Sequence, residues 1–214
     1  LDGTLVDTAP DLMLAHNHVM RKFGYPTKST EDIRNLVGKG AGALIGRSIW
    51  GQAKKEFSKV LDEKIKDEMV KEFINFYGKN INNESTLVTG VKSFLIWCKE
   101  QNISMAVCTN KQEHLSNDLL KKIGIYDFFE YVAGSDTFDY CKPDPRHLTN
   151  VVEILDGDVK KTIMIGDSET DANAAKAAEI PIILLENGYT EKNTTEIYHN
   201  HLIKDFIGIE EIIT

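Results

Sequence analysis

From about residue 88 to the end of the 214-residue sequence, short apolar runs alternate with helical patterns, and no other feature constrains the fold as much. Ile103–Cys108, Tyr131–Ala133, Thr162–Ile165 and Ile182–Leu185 read as strands, each short, apolar or β-branched, and ending beside turn-forming residues. Between them Leu115, Leu119 and Ile123 recur at helical spacing with Gly124 as a stop. Leu148, Val151, Val152 and Leu155 do likewise, and Ala172, Ala175 and Ala178 follow an Asp-rich turn. Repeated strand, helix, strand units predict an α/β fold: a doubly wound, mostly parallel sheet with right-handed crossovers and helices on both faces.

Residues 9–86 lack the alternation. Leu12, His16, Val19 and Phe23 form one helical stripe, and Phe57, Leu61, Ile65, Met69 and Phe73 recur every fourth residue in another. The stretch reads as an all-helical insertion over one end of the sheet, with hinges near Thr8 to Leu12 and near Glu84 to Thr89. Gly38-Lys39-Gly40-Ala41-Gly42 follows a helical pattern and lacks nucleotide-loop spacing, so it reads as a bend between insertion helices.

Charge and cysteine content narrow the partners. A net charge of −8 disfavours broad contact with a nucleic acid, which draws on many Lys and Arg side chains, but permits small phosphates. No apolar run approaches the ~18–20 residues that span a bilayer, and no stretch reads as a signal peptide. Cys98, Cys108 and Cys141 form no Cys-x-x-Cys pair and read as packed free thiols in a reducing cytoplasm. The six histidines show no metal-ligand spacing.

Open α/β sheets hold ligands beyond the carboxyl ends of their strands. Four polar stretches belong at that edge: Asp2-Gly3-Thr4, Thr109-Asn110-Lys111, Lys142-Pro143-Asp144-Pro145, and Gly166-Asp167-Ser168-Glu169-Thr170-Asp171. Taken singly, Thr109 also reads as a helix cap and Lys142 as a solvated charge. Asp167 and Asp171 say more, because carboxylates at i and i+4 on one helical face repel unless a cation sits near them.

Together the four stretches resemble the motif set of the haloacid dehalogenase superfamily of phosphatases. Ile33-Arg34-Asn35-Leu36-Val37-Gly38-Lys39-Gly40, Ala174-Ala175-Lys176-Ala177-Ala178 and Asn187-Gly188-Tyr189 are similar to the bacterial phosphoglycolate phosphatases within it. The resemblance implies a Rossmann-like core of residues 1–11 and 87–214 and a helical cap domain of residues 12–86. It also implies Mg2+-dependent hydrolysis of a small phosphorylated metabolite, 2-phosphoglycolate foremost, through an aspartyl-phosphate. Under it Asp167 binds Mg2+ and Asp171 orients its water ligands. Thr109, Asn110 and Lys142 receive the phosphoryl group, Asp2 is general acid and then general base with its carbonyl on the metal, and Arg34 and Lys39 are candidates to meet the substrate carboxylate. The expected assembly is a monomer or homodimer. A sugar-phosphate mutase of the same superfamily and a catalytically dead phosphate and Mg2+ binder are the alternatives; dehalogenation needs no metal and fits the acidic pair less well.

The family pattern is Asp-x-Asp-Gly-Thr, with the first Asp as nucleophile at the end of an apolar central strand. That Asp belongs immediately before Leu1, and neither it nor the strand is in the sequence. Loss of a central parallel strand would cost far more than the ~5–15 kcal/mol that separates folded from unfolded domains, so the expectation is an incomplete record of a longer protein. The competing expectation is a chain that binds phosphate and Mg2+ with little turnover.

Overall fold

The computed structural model describes residues 1–56 and 63–213. Phe57 and Leu61 of the second helical stripe lie outside the described residues.

Two parallel ladders carry the α/β part. β3 (Ala106–Cys108) pairs with β4 (Tyr131–Ala133), with Val107 opposite Val132. β5 (Met164–Gly166), β6 (Ile182–Leu185) and β7 (His201–Ile203) form a second ladder in that order. β6 shows why the strands read as continuous apolar runs. Ile183 and Leu185 join one apolar cluster while Ile182 and Leu184 join another, so the period-2 alternation buries both faces.

The helices supply those clusters. α5 (Val91–Glu100) and α6 (Glu113–Ile123) contribute Phe94, Leu95, Leu115 and Leu119 to the first. α7 (Arg146–Ile154) and α8 (Glu169–Ala177) contribute Leu148, Val152, Ala172 and Ala175 to the second. α6 ends at Gly124, whose φ of 78° is the left-handed conformation that suits glycine and stops the helix. Two strands are shorter or shifted relative to the sequence reading: β3 starts at Ala106 instead of Ile103, and β5 spans Met164–Gly166 instead of Thr162–Ile165.

A short antiparallel ribbon introduces the helical stretch. β1 (Val6–Asp7) pairs with β2 (Thr86–Leu87), Val6 facing Leu87. Between them run α1 (Ala9–Phe23), α2 (Thr30–Arg34), α3 (Ala41–Glu56) and α4 (Glu63–Lys79); α1 packs on α2 and α4, and α3 on α4. Leu12, Val19 and Met20 of α1 are buried, each contributing on the order of 1.5–3 kcal/mol. His16 on the same stripe is buried and polar, with Nε2 at 2.6 Å from Ser48 Oγ and Nδ1 at 3.0 Å from Asn17 Oδ1. Asp11 ties the two ends of the stretch together by accepting the Glu84 and Ser85 N–H groups and the Ser85 hydroxyl. The expected bend falls at Gly38 to Gly40, between α2 and α3, with positive φ at both glycines, while Ala41 and Gly42 already belong to α3.

A candidate active site at the strand ends

The site gathers at the turn that enters β1 and beyond the ends of β3 and β5. Asp2 stands in the turn ahead of β1, Thr109 to Lys111 follow β3, and Lys142 lies on the loop from β4 to α7. Asp167 to Asp171 run from β5 into α8. These residues line one cavity of about 310 Å3, together with Lys39 from the bend after α2. Arg34 is not among the lining residues. Its guanidinium donates to Asp7 Oδ2 at 2.6 Å and lies over the Tyr189 ring at 5.5 Å, bracing α2 against the body below it.

Two buried ion pairs anchor the floor of the cavity. Lys142 Nζ donates to Asp171 Oδ1 at 2.7 Å and to the Cys108 carbonyl at 2.5 Å, so Lys142 is not a solvated charge. Lys111 Nζ donates to Asp2 Oδ1 at 2.7 Å and to the Tyr77 hydroxyl at 3.0 Å, and sits 4.4 Å from the Tyr77 ring centre. Burial pushes the Asp2 carboxyl up, but Lys111, the amino-terminal ammonium of Leu1 and the Thr8 hydroxyl together hold it below the usual carboxylate range. Buried pairs of this kind are dangerous to break, because the surviving charge is left without a partner.

Asp167 and Asp171 meet by a route the spacing did not reveal. α8 begins at Glu169 behind the N-cap Ser168, so Asp167 lies ahead of the helix and the two do not share a helical face. Instead the Asp167 and Ser168 N–H groups and the Ser168 hydroxyl all donate to Asp171 Oδ2, which serves the capping box at the head of the helix. Thr4 Oγ1 donates to Asp167 Oδ1 at 2.7 Å, and the Tyr189 N–H donates to Oδ2 at 2.8 Å. Burial and then the neighbouring Asp171 charge push the Asp167 carboxyl up to about 6. Burial also acts against Asp171, but Lys142 outweighs it and holds that carboxyl down at about 2.

That contrast is the test of fit for a cation. Asp171 has its lysine in direct contact, whereas Asp167 is hydrogen-bonded only by neutral donors and has the Asp171 charge beside it, a situation a divalent ion relieves. Among the described residues no group of three or more His, Cys, Asp or Glu side chains forms a metal cage. One or two carboxylates beside room for water and phosphate oxygens suits Mg2+, which is seldom held by protein ligands alone.

Several contributors carried little signal in the sequence. Thr109 does not cap α6, whose N-cap is Gln112; its Oγ1 accepts the Lys111 N–H at 3.2 Å within the turn. Asn110 Nδ2 donates to the Lys142 carbonyl at 2.8 Å and to the Gly38 carbonyl at 3.3 Å, linking two rims of the cavity. His147 lies behind the floor, where Nδ1 accepts the Lys142 N–H and Nε2 donates to the Gly134 carbonyl. A backbone donor on one nitrogen and a backbone acceptor on the other fix the neutral tautomer. Burial and then Lys142 push this imidazole down to about 4. Gly3 and Gly188 are needed because a Cβ on either would overlap Asp167, and Gly3 has a φ of 75° besides. All three cysteines are free thiols.

Comparison with known proteins places this geometry in context. Residues 1–185 match the family model described as haloacid dehalogenase-like hydrolase. A phosphoglycolate phosphatase of Mesorhizobium japonicum is 36% identical over 206 residues, covering 96% of this chain and 88% of its own length. One from Agrobacterium fabrum is 37% identical over 209 residues, covering 98% and 88%. The crystal structure of a predicted phosphoglycolate phosphatase from Haemophilus somnus 129PT superposes with a TM-score of 0.93 at 29% identity, covering 100% of this chain and 95% of that one. Among the described residues no helix is long and apolar enough to cross a membrane.

Proposed function

The chain belongs to the haloacid dehalogenase-like hydrolase family, and we propose that it hydrolyses small phosphomonoesters, 2-phosphoglycolate foremost, with Mg2+. The observation that carries this reading is the meeting of Asp2, Lys111, Thr109, Lys142, Asp167 and Asp171 around one cavity. A phosphomonoester is a dianion, so an attacking carboxylate needs fixed positive charge and donors on the phosphoryl oxygens. Lys142 supplies the charge, with its side chain buried and held by Asp171 and the Cys108 carbonyl while its backbone N–H donates to His147. The Thr109 hydroxyl supplies a donor at the same end, and Asn110, whose amide hydrogens are taken by the Lys142 and Gly38 carbonyls, would receive the phosphoryl group through its backbone N–H.

Asp167, with the carbonyl of Asp2, would hold Mg2+, while Asp171 stays committed to Lys142 and the helix cap and orients the surrounding shell. When bound, the ion offsets phosphoryl charge that the two lysines do not cover. Asp2 takes the proton of the attacking water in the hydrolytic half-reaction, for which the ionised form held by Lys111 is ready. The cycle opens with that carboxyl protonated: it gives its proton to the leaving alkoxide, and the proton taken from water in the second half restores it. Lys39, on the opposite rim, is the lining cation placed to meet a substrate carboxylate.

The resemblance puts the nucleophilic Asp directly before Leu1, so the test is run on a chain in which Asp precedes Leu1. With Mg2+ it releases phosphate from 2-phosphoglycolate, and chelation stops it. A folded protein that frees no phosphate from any of a panel of phosphomonoesters sinks the reading.

A further inference from the structure

The cavity extends well past the charged residues. Leu12, Leu44, Val70, Phe73, Ile74 and Leu115 give it an apolar side, mostly from α1, α3 and α4, while Gln112, Ser135 and Cys141 also join the lining. Among the described residues the helical stretch contributes two polar side chains to the lining, Lys39 and Tyr77, and the Tyr77 hydroxyl is occupied by Lys111. Lys39 itself is exposed at the rim. The volume of about 310 Å3 amounts to roughly ten waters at ~30 Å3 each, yet the apolar walls offer waters few partners. A two-carbon acid joined to phosphate leaves most of this space unused. A carboxylate pressed against these walls would also lose its hydration with nothing to replace it.

We propose that the site takes phosphomonoesters of larger apolar alcohols, alkyl or aryl, with the phosphate on the charged floor and the hydrocarbon against the apolar walls. This substrate class rests on the phosphomonoesterase reading above and extends it beyond 2-phosphoglycolate. A shared cavity supports it: Asp2 and Lys111 line the same space as Leu115 and the apolar side chains, and Tyr77, also in the lining, is hydrogen-bonded to Lys111. An apolar guest restores the dispersion contacts that an empty apolar chamber forfeits. Hydrolysis of such an ester requires no new chemistry: the nucleophilic carboxylate bonds to phosphorus as the alcohol leaves with a proton from Asp2, and water then frees the phosphate and returns a proton to Asp2.

Binding tests the proposal without turnover. Calorimetry with Mg2+ compares inorganic phosphate with methyl-, propyl-, hexyl- and phenylphosphonate on the full chain. Each methylene buried tightens binding about two- to four-fold, so hexylphosphonate binds at least about 30-fold more tightly than methylphosphonate. In Ile74→Trp, which fills the chamber, and in Ile74→Asn, which makes its wall polar, that ratio collapses toward one; the pair guards against either variant failing to fold. A flat series on a protein that still binds phosphate overturns the substrate class alone. A ratio unchanged in both folded variants does the same, because the chain then lies elsewhere. If neither phosphate nor any phosphonate binds, the phosphomonoesterase reading itself falls.

Discussion

The floor of the cavity and its roof obey different rules. The floor is drawn from loops at strand ends and holds charges removed from water, each needing a particular partner: Lys142 has Asp171, Lys111 has Asp2, and Asp167 has Thr4 and the Tyr189 N–H. The roof comes from α1, α3 and α4 and shows the cavity mainly apolar side chains, any of which a neighbour of similar size could replace. Chemistry that must stabilise charge constrains identity; a surface that only excludes water constrains pattern. Under the proposed function, the floor would set the reaction and the roof which alcohol is admitted.

The largest expected effect is on the floor. Lys142→Met strands Asp171 as an unpaired buried carboxylate, and the protein loses about 3–5 kcal/mol of stability by urea titration. Phosphate release in the chain carrying Asp before Leu1 falls by about 10²–10³-fold. Asp2→Asn separates charge from proton transfer: turnover falls more than phosphate affinity, and equal loss of both would contradict the role given to Asp2. Ile74→Ala on the roof serves as the contrast, expected to change the preferred alcohol while phosphate release from a small ester stays within about ten-fold. If the roof substitution silenced all esters as Lys142→Met does, the division of labour would be wrong.

A smaller effect tests how the floor is held. His147 must be neutral, since its Nδ1 accepts the Lys142 N–H. Its folded-state value of about 4 lies below the ordinary 6.5, so between those values the unfolded chain binds more protons than the folded one. Stability therefore rises with pH across that window and is lost as the pH falls through it, by up to about 3 kcal/mol from this one group. Urea midpoints at pH 7 and pH 4.5 for the wild type and for His147→Gln measure it. Gln can offer an acceptor and a donor without titrating, so part of the acid loss disappears. An identical acid loss in both would remove His147 from the account.

The floor was legible in the sequence through the resemblance of its four polar stretches to a known motif set: Asp2, Thr109, Lys142, Asp167 and Asp171 all line the cavity. What stayed hidden were partnerships between residues far apart in the chain. Nothing local in Lys111 announces that it spans to Asp2 and Tyr77, and a lone Tyr189 gives no hint that its N–H holds Asp167. The spacing of Asp167 and Asp171 suggested one helical face, but a helix starts at its cap, and Ser168 is that cap. For the roof, the four-residue period of Ile65, Met69 and Phe73 identified a helix without saying that Phe73 would face a cavity while Met69 is fully buried in the core. Arg34 shows the limit of the motif approach: it sits in a stretch similar to the relatives, yet its charge goes to Asp7.

Lys39 is the place where the two regions would meet, and it carries the smallest expected effect. It stands on the roof side, exposed, on a bend set by Gly38 and Gly40, and among the described residues it forms no ion pair. Removing it leaves nothing buried without a partner, so Lys39→Met leaves the urea midpoint where it is. A rim cation facing a substrate carboxylate through water acts on binding in ground state and transition state alike, so KM for 2-phosphoglycolate rises roughly two- to five-fold at low salt while kcat holds. The rise shrinks as salt is added, because the charge is screened. For phenyl phosphate, which lacks the carboxylate, KM does not move. A change in kcat, or the same KM change for both esters, would place Lys39 with the floor and erase the line drawn between reaction and alcohol choice.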